Sequence, residues 1–253
     1  MVDVPPGRPE PIERLLSKWR VASRTEAQRL VRAGRVRAGG IVVRDPREVV
    51  DPRRRPIELD GRPVAPSTSG QVWLALNKPR GVVSTTKDPE GRPTVMDLVG
   101  EHAAPGLAPV GRLDQASAGL LLLSNDSTLA DRILDPATHV PKRYRVKVRG
   151  HLSSEERRHL TEETLTDDGL ELGPLTVEVE SVGPKSCWLV VTLDEGKNRQ
   201  IRRRMKDVGH EVEILVRTAI GPLELGTLAP GAIRPLSDDE LDALRAAASP
   251  RGR

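Results

Sequence analysis

Phenylalanine is absent from this 253-residue chain, and tyrosine and cysteine occur once each. Without aromatic bulk the interior must be filled by Leu, Val, Ile and Ala, so a stacking role for a ring is easily localised to Tyr144. The lone Cys187, in the apolar setting "SCWLVV", excludes an intramolecular disulfide and a cysteine-cluster metal site. No metal is expected. No apolar run reaches membrane-spanning length, and the start "MVDVPPGRPE" lacks the basic and apolar regions of a signal peptide, so the expected location is the cytoplasm, with no membrane partner. Phosphate-binding glycine loops of the Walker or dinucleotide kind are missing too, since "EGKNRQIRRR" has few glycines and in the wrong places.

Charge is present in both signs but unevenly. Residues 1–64 hold 15 basic and 9 acidic side chains, a net of +6, which leaves −2 for the remainder. A concentrated positive field suits a polyanion, because neutralising phosphates releases counterions; a solvated basic surface is the other reading. Residues 1–10 are proline-rich and expected to be disordered. A small α/β domain is expected over 11–64. It opens with an amphipathic helix in "IERLLSKW", followed by "SRTEAQRLVRAGRV", where Ser23 and Glu26 form a capping box and Gly34 stops the helix. Ala27, Leu30 and Val31 make that helix's apolar side, leaving Arg24, Arg29, Arg32 and Arg35 for solvent or an acidic ligand. Short strand-like pieces, "GIVV", "EVV" and "PIEL", come next, and residues 65–70 read as a linker.

From 71 to 247 short strands and helices alternate, ahead of a flexible tail at 248–253. "VWLAL", "GVVST", "GLLLLSN", "RYRVKV", "LTVEVESV", "CWLVVTL" and "EILVRTA" have strand character; "TVMDLV", "STLADRIL", "SSEERRHL", "RQIRRRMKDV" and "SDDELDALRAAA" read as helices, the last with a Ser237 to Glu240 capping box. Strands outnumber helices and regular βαβ periodicity is lacking. The fold class is α+β, built on a mixed, mainly antiparallel sheet with flanking helices.

Chemistry can sit where a polar group is held at the rim of a rigid element. In "PVGRLDQASAGLLLLSND" a glycine-initiated loop carries Arg112 and Asp114 and leads into an apolar run of the kind expected for a strand buried on both faces. A carboxylate at that rim needs a cation to stay ionised. Residues 195–206 supply six basic side chains against one acid, with Arg199, Arg202 and Lys206 on one helical face and Arg203 beside them. One arginine turned inward could pair with Asp114 while the others hold phosphates. By position alone, Asp114 also reads as a turn residue and the arginine helix as an exposed face. In "KRYRVKV", strand alternation puts Tyr144 with Val146 and Val148 and turns Arg143, Arg145 and Lys147 the other way.

In this order, "LNKPRGVVSTTKDPEGRPTVMDLV", "GRLDQASAGLLLLSND", "VPKRYRVKVRG", "EGKNRQIRRRMKDVGHEV" and "LVRTAIGPLELGTLAPGAIRPLSDDEL" resemble the successive motifs of the rRNA pseudouridine synthases of the RsuA and RluB type, over residues 71–241. The first 64 residues, with "VASRTEAQRLVRAGRV", are similar to the S4 RNA-binding module that precedes the catalytic domain there. The resemblance implies a uridine isomerase that needs no cofactor or metal: the glycosidic bond to nitrogen breaks, the uracil rotates, and it is rejoined through carbon 5. It implies Asp114 as the catalytic carboxylate, attacking the sugar or taking a proton from it, Arg202 as its ion-pair partner, and Tyr144 as the residue that packs on the flipped base and helps remove the carbon 5 proton. Lys78 and Arg112 would contact RNA or displace the base, and Leu215 would line the pocket. Arg24, Arg29, Arg32 and Arg199 are the other expected RNA contacts. The expected partner is ribosomal RNA, with the large subunit favoured, and the expected state is a monomer. The chain departs from the family pattern at Arg20, where a glycine is usual, and at Arg204 and Met205, where an apolar residue and a ring are usual.

A non-catalytic ribosome assembly factor on the same fold is the competing reading, and the joint presence of Asp114, Tyr144 and Arg202 argues against it. Glycoside hydrolysis normally uses two carboxylates flanking one bond, and the sequence marks no second acid near Asp114.

Overall fold

The computed structural model describes residues 9–19, 21, 22, 24–65 and 70–249. Residues 1–8, Arg20, Ser23, most of the expected linker and residues 250–253 lie outside the described residues. Two compact units emerge, one of residues up to Gln71 with Asn125–Thr128, the other Val72–Ser124 with Leu129 onward.

In the first unit, helices α1 (Ile12–Lys18) and α2 (Arg24–Arg32) pack with a four-stranded antiparallel sheet, Ile41–Val42, Val36–Ala38, Ile57–Leu59 and Arg62–Val64 in spatial order. Ala27, Leu30 and Val31 are buried with Ile12, Leu15 and Leu16, as the helical spacing requires. Gly34, at φ 72°, ends α2, and the Arg35 amide turns back to the Leu30 carbonyl at 3.1 Å. Glu10 and Pro11 pair with Val49–Val50, so Glu10, the last residue of the stretch expected to be disordered, belongs to a strand pair.

The second unit is organised by a nine-stranded sheet: β1 (Trp73–Lys78), β2 (Ala108–Val110), β3 (Ala118–Ser124), β4 (Lys142–Arg149), β5 (Thr176–Val182), β6 (Ser186–Leu193), β7 (Val212–Ile220), β8 (Leu223–Glu224) and β9 (Ile233–Pro235). Its order is β5-β6-β4-β7-β3-β1-β9, with β2 against β3 and β8 against β7. Every pairing is antiparallel except the short parallel seam where Val216 and Arg217 of β7 meet Ala118 and Gly119 of β3. Gly119 is obligatory there: its φ is 105°, and a Cβ would lie 2.3 Å from the Arg217 carbonyl oxygen. Helices α3 (Ser127–Leu134), α4 (Ser154–Glu162), α5 (Gln200–Asp207) and α6 (Asp238–Ala247) flank the sheet, and Ser237 and Glu240 close the expected capping box of α6. Ala248, expected in a flexible tail, is buried beside Leu244.

Two segments differ from expectation. "GVVST" forms no strand, only a bridge from Val83 to Thr94, and "TVMDLV" forms one short 3-10 turn, Val95–Leu98, in place of an α-helix, with a second following at Gly100–His102. Pro79, Pro89, Gly91, Pro93 and Gly100 flank these segments and interrupt regular hydrogen bonding on either side.

Alternation along β4 buries Tyr144, Val146 and Val148. The opposite face carries Arg143, Arg145, Lys147 and Arg149, each matched by a carboxylate: Glu224, Glu180, Glu213 and Glu211 respectively. Arg145 also lies 4.3 Å above the Trp188 ring. This face is therefore a neutralised ladder rather than a phosphate-binding surface.

The two departures in α5 have structural reasons. Met205 is fully buried and fills core space where a ring was expected. Arg204, 0% exposed, sends Nη2 to the carbonyls of His159, Leu160 and Glu163 at 3.0, 3.1 and 2.7 Å. The carbonyls of His159 and Leu160 also accept from the amides of Glu163 and Leu175, so Arg204 adds a charged donor to the last turn of α4 and bolts α5 to that helix.

Candidate active site

Asp114 lies on the loop between β2 and β3, and that loop is braced from several sides. From the end of β1, Lys78 reaches beneath it. Its Nζ donates to the carbonyls of Pro79, Asp114 and Ser117 at 3.1, 3.2 and 2.8 Å. Ser84 accepts from the Leu113 amide and donates to its carbonyl, while Gln115 and Gly81 exchange two hydrogen bonds. Lys78 is 0% exposed, so the expected RNA-contacting lysine is a buried scaffold cation. Burial pushes its ammonium down to about 8, against the pull of the nearby Asp114 charge.

The expected partner of Asp114 is displaced by three residues. Arg199 Nη1 stands 3.5 Å from Asp114 Oδ2, with the carboxylate side chain 29% exposed. Arg202, a buried-facing neighbour, donates instead to the Val212 carbonyl at 2.9 Å and the Ala116 carbonyl at 3.5 Å. Arg202 thus ties the start of β7 to the Asp114 loop. Its Nε is buried without a hydrogen-bond partner, and burial, with Arg199 and Arg80 adding, lowers its pKa while Asp114 opposes. The switch comes from backbone geometry. Arg199 sits at the N-cap of α5 with φ 51° and ψ 30°, a left-handed conformation unusual for an arginine and of the kind that collects at functional sites.

Asp114, Tyr144 and Leu215 line one cleft of about 400 Å³ together with Arg112, Arg199, Lys142 and Arg217. Tyr144 and Leu215 are buried and form apolar wall; Arg112 and Arg199 are exposed and stand at its mouth. A bulge in the pairing of β4 with β7 leaves Thr218 without an opposite residue, which puts Arg217 across from Tyr144. The cleft contains two groups that strand patterns did not mark, Lys142 and Arg217. It also contains Glu195, a second carboxylate. Burial would raise the Glu195 pKa, but hydrogen bonds from Lys197, the Gly173 amide and Gln200 hold it below the usual value. Those partners, at 2.8, 3.0 and 2.6 Å, commit Glu195 to fixing the loop before α5. Arg203 is likewise committed, to Asp167 at 2.9 Å.

Arg24, Arg29 and Arg32 belong to the first unit and stay exposed along α2. Arg24 is 3.4 Å from Glu13 and Arg29 is 3.6 Å from Glu26, loose ion pairs that water competes with. Among the described residues no group of three or more His, Cys, Asp or Glu is placed to hold a metal, and no helix is long and apolar enough to cross a membrane.

Comparison with known proteins converges on one group. The profile of the RNA pseudouridylate synthases matches residues 72–207, and that of the S4 domain matches residues 10–54. An uncharacterized RNA pseudouridine synthase of Mycobacterium tuberculosis is 39% identical over 236 residues, 92% of each chain. Proteins of the same description from Aquifex aeolicus and Bacillus subtilis are 36% and 35% identical, over 91% and 92% of this chain and 91% and 97% of their own lengths. A crystal structure of a pseudouridylate synthase shares the fold, with a TM-score of 0.65 at 24% identity over 92% of this chain and 98% of the other.

Proposed function

Because this chain belongs to the RNA pseudouridine synthase family and carries an S4 domain ahead of the catalytic one, we propose that it isomerises one uridine of ribosomal RNA, in the large subunit, with Asp114 as the reacting carboxylate. Asp114 either attacks the sugar at C1′ or removes a proton from it. Arg199 contacts the carboxylate directly, and Arg202 positions the loop that bears it. Tyr144 packs on the extruded uracil and takes the carbon 5 proton, with Leu215 as the opposing apolar contact. Arg112 holds the displaced strand or the flanking phosphates. The exposed arginines of α2, Arg24, Arg29 and Arg32, supply affinity for RNA that is independent of sequence. The enzyme works as a cytoplasmic monomer and needs no cofactor.

The observation that carries this reading is that the carboxylate of Asp114, its arginine partner and the sole tyrosine of the chain line the same cleft. RNA labelled with tritium at uracil carbon 5 is the test. The wild-type protein releases label from large-subunit rRNA, and Asp114→Asn releases none above background. Equal release by the two would remove Asp114 from the chemistry. Unchanged ribosome assembly in cells carrying Asp114→Asn, together with no release by the wild type, would favour a scaffold role.

A further inference from the structure

The floor of the cleft holds two cations that touch no carboxylate. Lys142 and Arg217 are both buried and both line it. Lys142 Nζ reaches the Ile133 carbonyl at a long 3.4 Å. Arg217 donates from Nε to the Leu120 carbonyl at 2.7 Å, while its buried Nη2 has no partner. Burial, with Arg217 adding, pushes Lys142 down to about 8; the exposed Asp194 pulls the other way. The two carboxylates in the cleft are engaged elsewhere, Asp114 with Arg199 and Glu195 with Lys197 and Gln200. Two like charges buried side by side without a counterion are costly to keep, which marks a place where an anion arrives.

The surroundings say which anion. Phosphates would be met at the mouth, where Arg112, Lys197 and Arg199 are exposed. The floor is shared with the buried Tyr144 and Leu215, surfaces suited to a planar ring. When the bond from C1′ to N1 breaks, the electron pair stays with the uracil and spreads over N1, O2 and O4. We propose that Lys142 and Arg217 bind the carbonyl oxygens of the departing uracil and stabilise it as an anion. This rests on the pseudouridine reading above. C1′ is either taken by the Asp114 carboxylate or left in an alkene by loss of the C2′ proton to it, and on both routes the base carries the same negative charge. Joining C5 to C1′, which displaces the carboxylate on the first route and takes the proton back from it to C2′ on the second, followed by loss of the C5 proton and protonation of N1, returns a neutral ring and a free carboxylate. The two cations act at the moment when charge develops, in a site shielded from water.

Two measurements on the full-length protein test this. In single-turnover tritium release at saturating RNA, Lys142→Met slows the reaction by about 100-fold or more, the usual loss for one donor to a developing anion. Its RNA affinity stays close to that of the wild type. In equilibrium titration of the free protein, 5-nitrouracil, ionised at neutral pH, binds the wild type more tightly than neutral uracil, and Lys142→Met loses that preference. Equal binding of the two bases by the wild type, or unchanged turnover in Lys142→Met, overturns the proposal. So does failure of both Lys142→Met and Lys142→Gln to fold, which assigns Lys142 to the scaffold. A wild type that prefers the anionic base yet modifies no rRNA supports the cationic floor and refutes the assigned substrate.

Discussion

Replacing Lys78 by methionine removes the buried cation under the Asp114 loop, and its effect on stability must depend on pH. An unfolded lysine titrates near its ordinary 10.5, and the folded one is held at about 8. Between these values the unfolded chain binds more protons than the native protein, so native stability rises with pH across the window. The contribution is fixed and unfavourable below about pH 8 and is relieved as the ammonium deprotonates. From pH 7 to pH 10 the two pKa values give a relative gain of roughly 2 to 3 kcal/mol for the wild type over Lys78→Met. Burial of Lys142 produces a similar slope, but it is common to both proteins and cancels in the difference. Urea unfolding in a Trp19→Leu background isolates the second unit, since Trp73 and Trp188 both lie within it. A stability difference that stays flat between pH 7 and pH 10, or moves in favour of the variant, would refute the assignment of Lys78 as a desolvated, charged brace.

Arg204→Leu removes the buried charged donor shared by the carbonyls of His159, Leu160 and Glu163. A loss of about 3 kcal/mol is expected from the charged hydrogen bonds, read by urea unfolding. Arg199→Ala should change stability by less than about 1 kcal/mol, as for other solvent-screened pairs, yet slow single-turnover tritium release. Charge reversal of Arg29 and Arg32 together should weaken RNA binding and flatten its dependence on log salt concentration by about two contacts, measured by filter binding at several salt concentrations.

Much of the site could be read from local pattern. Alternation alone placed Tyr144 on the buried face of its strand, and the glycine-started turn placed Asp114 at a rim. Residues whose role depends on distant chain could not be read this way. Lys78 precedes a proline and looks like a solvated turn residue, because the carbonyls that bury it come from Asp114 and Ser117. Helical spacing put Arg199 and Arg202 on one face, but the left-handed backbone at Arg199 takes it out of the helix and hands it the carboxylate. Arg217 escaped notice because the bulge at Thr218 breaks the strict two-residue period that strand reading assumes. Arg204 looked misplaced in a core position until α4 supplied three acceptors for it. The short strands β2, β8 and β9 each have three residues or fewer and carry no periodic signal of their own.

The lone parallel join between β3 and β7 connects stretches roughly 100 residues apart in the chain, the kind of long-range contact that forms slowly. Asp114 is made well before Arg199, Leu215 and Arg217, which follow it by about 85 residues or more. A growing polypeptide can therefore hold Asp114 and Tyr144 before the rest of the cleft lining exists. The cleft takes its full lining only once β7 has paired with β3.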